Sequence, residues 1–499
     1  MPTSATTALP RHQHHIGGEQ VAPESGEYFP SFNPATGLPW YEAADGNAAD
    51  VDRAVRAART AFEDPRWRGL TATRRGRLLR RLGDLIGEHA EELARRESLD
   101  NGKLLREMRG QLAVLPEYYY YFAGIADKVG GEVLHTMDPA IFNYTRREPV
   151  GVVGAITPWN SPLLLTSMKL APALATGNTV VVKPSEHTSA SLLGLVALLD
   201  EAGFPPGVVN VVTGHGRGAG AALVEHPGVD KVAFTGSTET GRAIAGIAGS
   251  RLARVSLELG GKSPNIVFAD ADPRSAAMGI VAGIFAAGGQ TCVAGSRAFL
   301  HEDVHDEVLS LVTERAAAIR LGDPLDDATE LGPLALREQL EKVRHYVGLG
   351  LEEGGKVVLG AAEPEGLGDG WYYQPTIFTE TDNTMRICQE EIFGPVLTVM
   401  RFRDEEEAVA LANATSYGLA AGVWTRDLAR AHRMAAAIDA GTVWVNTYRA
   451  MSPLSPLGGF KQSGLGKENG PEVIHEYTRV KSVWINTSDE PMADPFVMR

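Results

Sequence analysis

From Gly151 onward, short apolar and β-branched runs alternate with longer segments of helical periodicity. The runs cover residues 152–156, 179–182, 208–212, 231–234 and 255–257, with helix-like segments such as 189–202 and 240–248 between them. Short buried strands that alternate with helices are typical of βαβ units and a parallel sheet. A second α/β region follows over about residues 265–470. The pattern therefore predicts an α/β chain with two sheet regions.

Helical periodicity also marks the first part of the chain. Apolar residues at positions 51, 54, 55, 58 and 62 predict a helix with Asp50 as its N-cap and Pro65 beyond its end. A second helix is predicted from about residue 73 to residue 99. Residues 1–18 are polar and lack the apolar core of a secretion signal. We predict a disordered tail there, in preference to a metal site formed by His12, His14 and His15.

Composition narrows the classes of function. The chain has 499 residues, which is too long for one hydrophobic core and predicts two or three domains. Its net charge of −15 argues against nucleic acid and anionic membranes as partners. No apolar run reaches the roughly 18 residues of a membrane span. Cys292 and Cys388 lie far apart in sequence, so we expect no disulfide framework and a reducing, cytoplasmic location.

Polar and glycine-rich residues follow the predicted strands, at residues 157–160, 183–186, 235–238 and 258–261. Parallel sheets bind ligands at the carboxyl ends of their strands, so these residues are candidate ligand contacts. Residues 235–241 join a strand to a helix, whose free N–H groups suit a phosphate. The spacing is not Gly-x-Gly-x-x-Gly, and a glycine-containing loop without a ligand stays open as an alternative.

Two further glycine-rich stretches contain the candidate catalytic groups. Cys292 lies between Gly288-Gly289 and Gly295, and Glu258 shortly precedes Gly260-Gly261. Glycine lets other groups approach the backbone closely, so a small molecule can reach a thiol there. A thiol and a carboxylate suit covalent catalysis, the first as nucleophile and the second as a base that activates water. From the residues alone, an inert buried cysteine and a solvated glutamate are equally open alternatives.

These two stretches resemble known signatures. Phe285-x-x-x-Gly-Gln-x-Cys-x-Ala-Gly and Leu257-Glu-Leu-Gly-Gly-Lys-Ser are similar to the cysteine and glutamate signatures of the NAD(P)-dependent aldehyde dehydrogenase superfamily. The resemblance covers roughly residues 26–487 and implies two Rossmann-type parallel-sheet domains plus a small β oligomerisation hairpin. The implied units are an NAD-binding domain at 20–130 and 150–262, a catalytic domain at 263–470, and oligomerisation segments at 131–149 and 471–499 of a homodimer or homotetramer.

The resemblance also implies a mechanism without a metal. Cys292 attacks an aldehyde and forms a thiohemiacetal and then a thioester, Asn160 stabilises the oxyanion, and Glu258 activates water. NAD is the implied cofactor and NADP the second option; Glu186 favours NAD because a carboxylate repels a 2′-phosphate. The implied cofactor-binding residues are Ile156, Thr157, Pro158, Trp159, Lys183, Glu186, Gly236, Ser237, Gly241, Leu259, Glu391 and Phe393.

Departures from the family pattern bear on the substrate. The expected substrate residues are Ser161, Met168, Thr291, Val293 and Leu457. Three of them, Ser161, Met168 and Leu457, stand where many relatives carry aromatic residues. A smaller or more flexible wall predicts a bulky, largely apolar aldehyde, with a permissive enzyme as the alternative.

Three other points stay open at this level. Ala287 replaces an asparagine that relatives often carry, which bears on the loop before Cys292. Arg449 lies near the expected substrate mouth, but we predict a surface position for it because most arginines are solvated. A CoA-acylating enzyme and a catalytically silent structural relative are the alternative functions, and the presence of Glu258 argues against the first.

Overall fold

The structure is a computed structural model that describes residues 8–492 and 494–497. Its largest sheet has eight strands. In spatial order these are Gly464–Leu465, Arg254–Glu258, Lys231–Thr235, Val152–Ile156, Thr179–Lys183, Val209–Val211, His14–Ile16 and Glu19–Val21. The strands that span residues 152–258 pair in parallel, as the sequence predicts, and the other three pair antiparallel. Strand order reverses between Val152–Ile156 and Lys231–Thr235, because later strands add on the opposite side of the first.

The second sheet has seven strands and forms the centre of the predicted second α/β region. Its strands, in spatial order, are Lys356–Leu359, Thr376–Thr379, Val396–Phe402, Arg297–His301, Pro264–Val267, Ala420–Trp424 and Thr442–Val445. All neighbours pair in parallel except the first two. Two Rossmann-type sheets therefore lie in one chain.

Three small sheets complete the strands. They contain Arg11–His12, Leu38–Ala44 and Tyr28–Asn33; Tyr417–Gly418 and Phe460–Lys461; and Thr478–Asn486, Ile141–Pro149 and Val133–Leu134. In the last, residues 141–149 pair antiparallel with residues 478–486 along their whole length. This confirms that the two distant segments predicted as strands pair with each other.

Helices cover both faces of the large sheet. Those on one face, which include Ala72–Glu88, Leu105–Ile125 and Pro162–Ala175, build one core, and Ala48–Glu63 contributes to a second core on the other face. No helix in the described ranges is long and apolar enough to cross a bilayer. The remaining α-helices are Pro65–Arg68, Ala90–Asn101, Ala190–Ala202, Ala221–Glu225, Thr238–Ser250, Pro273–Ile284, His305–Ala317, Arg337–Glu352, Arg386–Gln389, Glu405–Asn413, Leu428–Ala437 and Val473–Tyr477.

The first helices differ in detail from the sequence prediction. The N-cap of Ala48–Glu63 is Asn47, and Asp50 serves instead as the third residue of a capping box that bonds back to the Asn47 backbone. The predicted long helix is two helices that meet at His89, whose backbone φ of −105° and ψ of 12° leave the helical range.

The prediction of a disordered amino-terminal tail is wrong for residues 8–18, whereas residues 1–7 lie outside the described ranges. Residues 14–16 form a strand of the large sheet, and His14 is fully buried. Its Nδ1 accepts a hydrogen bond from the Thr213 backbone N–H at 3.2 Å. Main-chain pairing with Val209–Val211 supplies the backbone partners that order this segment.

One buried side chain joins three parts of the first domain. Asn178 accepts a hydrogen bond from the Gly151 N–H at 3.0 Å and donates to the carbonyls of Ala173 at 3.2 Å and Tyr477 at 3.0 Å. These partners lie before a sheet strand, on a covering helix and on the helix before the carboxyl-terminal strand. An alanine removes these bonds and leaves the buried Gly151 N–H without its acceptor, whereas the carbonyls of Ala173 and Tyr477 keep backbone donors.

We predict that Asn178→Ala lowers the free energy of unfolding by about 2 kcal/mol, because the buried Gly151 N–H loses its acceptor and three buried hydrogen bonds are lost. The urea midpoint of the purified protein measures the change. Asn413→Ala is the matched control, since the Asn413 side chain bonds only to exposed backbone at Ala437 and Asp439. Equal midpoints for the two variants would contradict the stated role of Asn178.

Candidate active site

A cleft of about 770 Å³ opens where the strand order of the large sheet reverses. Ile156 ends one central strand, and it lines the cleft together with residues 157–159, which follow it. Gly236 and Ser237, which follow the neighbouring strand, also line the cleft. Ser237 is the N-cap of Thr238–Ser250, and its hydroxyl accepts a hydrogen bond from the Thr240 N–H at 3.2 Å. The positive end of this helix therefore faces the cleft, as the sequence predicts.

Gly241 has a packing position rather than a cleft position. It lies inside Thr238–Ser250, and no side chain fits at this position because a Cβ would overlap the Leu259 side chain. Gly241 thus lets this helix pack closely against Leu259, the residue that follows the strand Arg254–Glu258. Among the predicted cofactor residues, it supports the cleft without lining it.

Lys183 and Glu186 lie together at the far end of the cleft. Lys183 Nζ donates to Glu186 Oε2 at 3.0 Å, and the Gly216 N–H donates to Oε1 at 3.4 Å. Burial opposes ionisation of Glu186, but the adjacent Lys183 ammonium lowers its pKa to about 2. A full negative charge therefore faces this part of the cleft at neutral pH.

A second cavity of about 180 Å³ shares Pro158, Trp159 and residues 235–237 with the cleft. It brings Asn160, Leu259, Cys292, Glu391 and Phe393 together from both α/β regions. The Gly261 N–H donates to Glu391 Oε1 at 3.0 Å. The rings of Trp159 and Phe393 pack edge to face, with their centroids 5.2 Å apart. The sequence predictions for Leu259, Glu391 and Phe393 thus fall on one surface beside the thiol.

The loop before Cys292 has an unusual backbone. Ala287, Gly288 and Gly289 have φ values of 54°, 63° and 69°. The left-handed region is costly for alanine and readily adopted by asparagine, which gives a physical reason why relatives often carry asparagine at position 287. A Cβ at Gly289 would overlap the Gly394 carbonyl. The loop therefore turns tightly enough to present the thiol to the cavity.

Cys292 is half-exposed, whereas Cys388 is fully buried. Exclusion of water raises the pKa of the Cys292 thiol to about 12, and the carboxyl groups of Glu391 and Glu258 act in the same direction. The thiol is therefore neutral at neutral pH in the protein alone. A base or a positive charge brought by a ligand must assist its ionisation.

Asn160 shares the cavity with this thiol, and Glu258 lies within electrostatic range of it. Asn160 Nδ2 donates to the Gln290 carbonyl at 3.1 Å, which fixes the amide and leaves its second N–H free. Glu258 is the last residue of its strand and is buried. Burial, and then the charge of Glu468, raises the pKa of Glu258 well above its usual value, while Lys169 opposes them. Lys169 itself donates to Glu468 Oε1 and to Thr235 Oγ1.

The predicted substrate residues have three different surroundings. Thr291 and Val293 adjoin the thiol, and Val293 is held by the Tyr448 hydroxyl, which donates to its carbonyl at 2.9 Å. Met168 is fully buried in the helical core, and Leu457 is half-buried against the same core. The wall at Ser161 is polar, because its hydroxyl accepts a hydrogen bond from Lys103 Nζ at 2.8 Å. This differs from the apolar wall that the sequence predicts.

Two charged residues at this site were not expected. Lys103 precedes Leu105–Ile125 and is almost completely buried, although most lysines are solvated. Arg449 is half-buried and makes an exposed hydrogen bond, which is compatible with the predicted surface position, but its charge also reaches Lys103 and Tyr448. The only signal for Lys103 in the sequence is the adjacent Gly102, which marks a helix end. Neither the burial nor the contact with Ser161 follows from that pattern.

Comparison with known proteins agrees with this geometry. The Aldehyde dehydrogenase family model matches residues 21–483. The chain is 50% identical, over 94% of its length and 96% of the relative, to (Z)-2-((N-methylformamido)methylene)-5-hydroxybutyrolactone dehydrogenase of Acinetobacter baylyi. It is 46% identical to human Retinal dehydrogenase 2, over 94% of this chain and 91% of the relative.

Solved structures give the same result for the fold. An aldehyde dehydrogenase of Bacillus cereus, described as an NAD⁺ complex, superposes with a TM-score of 0.94 at 44% identity. The superposition covers 96% of this chain and 97% of the other. The match of the family model over nearly the whole chain, together with these relatives, shows that the chain belongs to the aldehyde dehydrogenase family.

Proposed function

We propose that this aldehyde dehydrogenase works through a covalent intermediate on Cys292, with Asn160 and Glu258 as its partners. One observation carries the proposal. The Cys292 thiol shares a small cavity with the Asn160 amide, and the Glu258 carboxyl is close enough to raise the pKa of the thiol. A nucleophile, an oxyanion donor and a base are the groups that oxidation of an aldehyde to an acid requires.

We propose NAD as the electron acceptor. The related Bacillus cereus structure is described as an NAD⁺ complex. The cleft fits a dinucleotide, because the helix terminus at Ser237 suits a diphosphate and ionised Glu186 suits a ribose diol. Glu391 and Phe393 would hold the end nearest Cys292. When bound, NAD supplies the acceptor for the two electrons and the hydrogen that leave the aldehyde carbon.

The first step is addition of the thiol to the aldehyde. Glu258 accepts the thiol proton, and Cys292 Sγ forms a bond to the carbonyl carbon while the carbonyl oxygen becomes an oxyanion. The free N–H of Asn160 Nδ2 and the backbone N–H of Cys292 donate to that oxygen. Loss of one such donor typically costs about 10²–10³ in rate. The bond from Asn160 to the Gln290 carbonyl keeps the amide in place beforehand.

The second step is hydrolysis of the thioester that oxidation leaves on Cys292. After it has released the thiol proton to solvent, Glu258 takes a proton from water. The resulting hydroxide adds to the thioester carbon, the carbon–sulfur bond breaks, and the carboxylic acid leaves. The raised pKa of Glu258 makes this carboxyl group a stronger base than an exposed glutamate. A carboxyl group with a raised pKa suits both proton transfers.

The preferred substrate is an aldehyde with several carbons. Ser161 is small, and Leu457 is a half-buried aliphatic residue where many relatives carry an aromatic one. Each buried CH₂ group of a substrate gains about 0.8 kcal/mol, so a longer chain binds better where the wall leaves room for it. A permissive enzyme with no length preference is the competing expectation.

We also propose the homo-oligomeric assembly and the cytoplasmic location that the sequence predicts. The sheet of residues 141–149 and 478–486 exposes large apolar side chains, with Trp484 at 64% and Phe142 at 44% exposure. Exposed apolar patches of this kind mark contact surfaces. The proposed assembly is a homodimer or homotetramer that uses this sheet. Two cysteines without a disulfide suit a reducing cytoplasm.

Cys292→Ala should abolish NAD-dependent oxidation of hexanal, because no nucleophile remains to form the thiohemiacetal. NADH absorbance measures the rate. Cys388→Ala is the matched control and should keep most of the activity, since Cys388 is buried in the core of the second region. Turnover above about 1% of wild type in the Cys292 variant would contradict covalent catalysis, which normally contributes far more than this factor.

Glu186 should make NAD the preferred cofactor over NADP in kcat/KM. Glu186→Gln removes the charge that repels a 2′-phosphate and should improve the NADP to NAD ratio by about tenfold or more. Steady-state kinetics with both cofactors check this. Glu225→Gln, an exposed glutamate on Ala221–Glu225, should leave the ratio unchanged. A wild-type enzyme that uses NADP as well as NAD would refute the role of Glu186.

A further inference from the structure

A buried ammonium group lies against the predicted substrate wall. Lys103 Nζ donates to Ser161 Oγ at 2.8 Å, and Gln111 Nε2 approaches the same oxygen at 3.5 Å. Ser161 directly follows Asn160, whose amide shares the cavity with Cys292. A hydroxyl that accepts from an ammonium leaves the other N–H groups of Nζ available for a further acceptor. The wall next to the oxyanion donor is therefore cationic.

A guanidinium approaches the same space from the second region. Arg449 follows Tyr448, whose hydroxyl bonds to the Val293 carbonyl directly after Cys292. Arg449 Nη1 donates to the Ala282 carbonyl at 3.3 Å, on the helix that leads to the cysteine loop. Burial, and among nearby charges that of Arg449, lowers the pKa of Lys103 to about 8. The two cations thus lie within electrostatic range of one another.

Their nearest hydrogen-bond partners are neutral. Lys103 donates to a hydroxyl and Arg449 to a carbonyl, and over residues 8–492 neither makes an ion pair with a carboxylate. Two glutamates act on Lys103 from a distance. Glu107 accepts a hydrogen bond from the Ala287 N–H at 3.3 Å, and burial raises the pKa of Glu97 to about 7, so that it carries only part of a charge. Neither cation therefore has a carboxylate bonded directly to it within the described residues.

We propose that Lys103 and Arg449 bind a carboxylate carried by the aldehyde substrate, so that the enzyme selects semialdehydes over unsubstituted aldehydes of the same length. The inference rests on the proposed function, because it places the aldehyde at Cys292. A carboxylate accepts charge-assisted hydrogen bonds from an ammonium and a guanidinium at once. It also supplies the negative charge that these two buried or half-buried cations lack.

The test compares matched pairs of aldehydes with NAD and the full-length enzyme. Succinate, glutarate and adipate semialdehydes are measured against butanal, pentanal and hexanal, with acetaldehyde as a substrate too short to reach either cation. We expect at least one semialdehyde to exceed its partner in kcat/KM by about tenfold or more, which is the effect of one charged hydrogen bond. The difference should lie mainly in KM, because the carboxylate is bound equally before and during the reaction.

Variants then assign the preference to the two cations. Arg449→Gln and Lys103→Gln should each lower the ratio of semialdehyde to aldehyde kcat/KM by about ten- to hundredfold. Arg449→Lys should restore part of it, because the charge is kept. Arg403→Gln is the matched control, since Arg403 is exposed and pairs with Glu407 on the surface. Competitive inhibition of the wild type by adipate, stronger than by hexanoate, tests the site without any variant.

Two outcomes overturn the inference. If hexanal is oxidised and every semialdehyde performs no better than its partner, the carboxylate site is wrong and the proposed function stands. If the semialdehyde preference exists but survives both glutamine variants, Lys103 and Arg449 are structural and do not bind the substrate. Absence of NAD-dependent oxidation with all aldehydes tested would instead refute the proposed function itself.

Discussion

The site depends on the close approach of the two large sheets beside Cys292. The strand Arg254–Glu258 of the first sheet ends there, and the strands Pro264–Val267 and Arg297–His301 of the second sheet begin there. A Cβ at Gly261 would lie 2.5 Å from the Cys292 carbonyl oxygen. Only glycine therefore lets the segment after Glu258 come this close to the cysteine loop. The Gly261 N–H also binds Glu391 from the second region. This contact brings groups from distant parts of the sequence into one cavity, and the cofactor cleft and substrate wall are arranged around it.

The same close packing sets the electrostatics. Burial raises the pKa values of both Cys292 and Glu258, and each carboxyl group nearby disfavours a thiolate. The resting protein therefore holds an unreactive thiol and a carboxyl group of raised basicity. Proton transfer between them, followed by addition to the aldehyde, requires no large movement of charge. Lys103 and Arg449 add two positive charges, and Lys103 lies within electrostatic range of the thiol.

Sequence patterns predicted the parallel strands and the residues that follow them, because β-branched runs with intervening helices constrain a sheet strongly. They also singled out Cys292, Asn160 and Glu258 through short stretches that resemble the family pattern. The structure brings Asn160 and Cys292 to one cavity, and the catalytic roles of all three stay a prediction. The ordered strand at His14 and the burial of Lys103 were missed. Both depend on tertiary contacts with distant residues, Thr213 and Ser161, which leave no periodic signal along the chain.

The most direct test of the account is the fate of the acyl group in Glu258→Gln. Without the base, the thioester should form and persist. Rapid mixing with hexanal and NAD should give a burst of about one NADH per active site, since a base for water acts only after oxidation. Mass spectrometry of the quenched protein should then place a hexanoyl group on the Cys292 peptide. A burst without acylation of Cys292, or acylation of Cys388, would contradict the account.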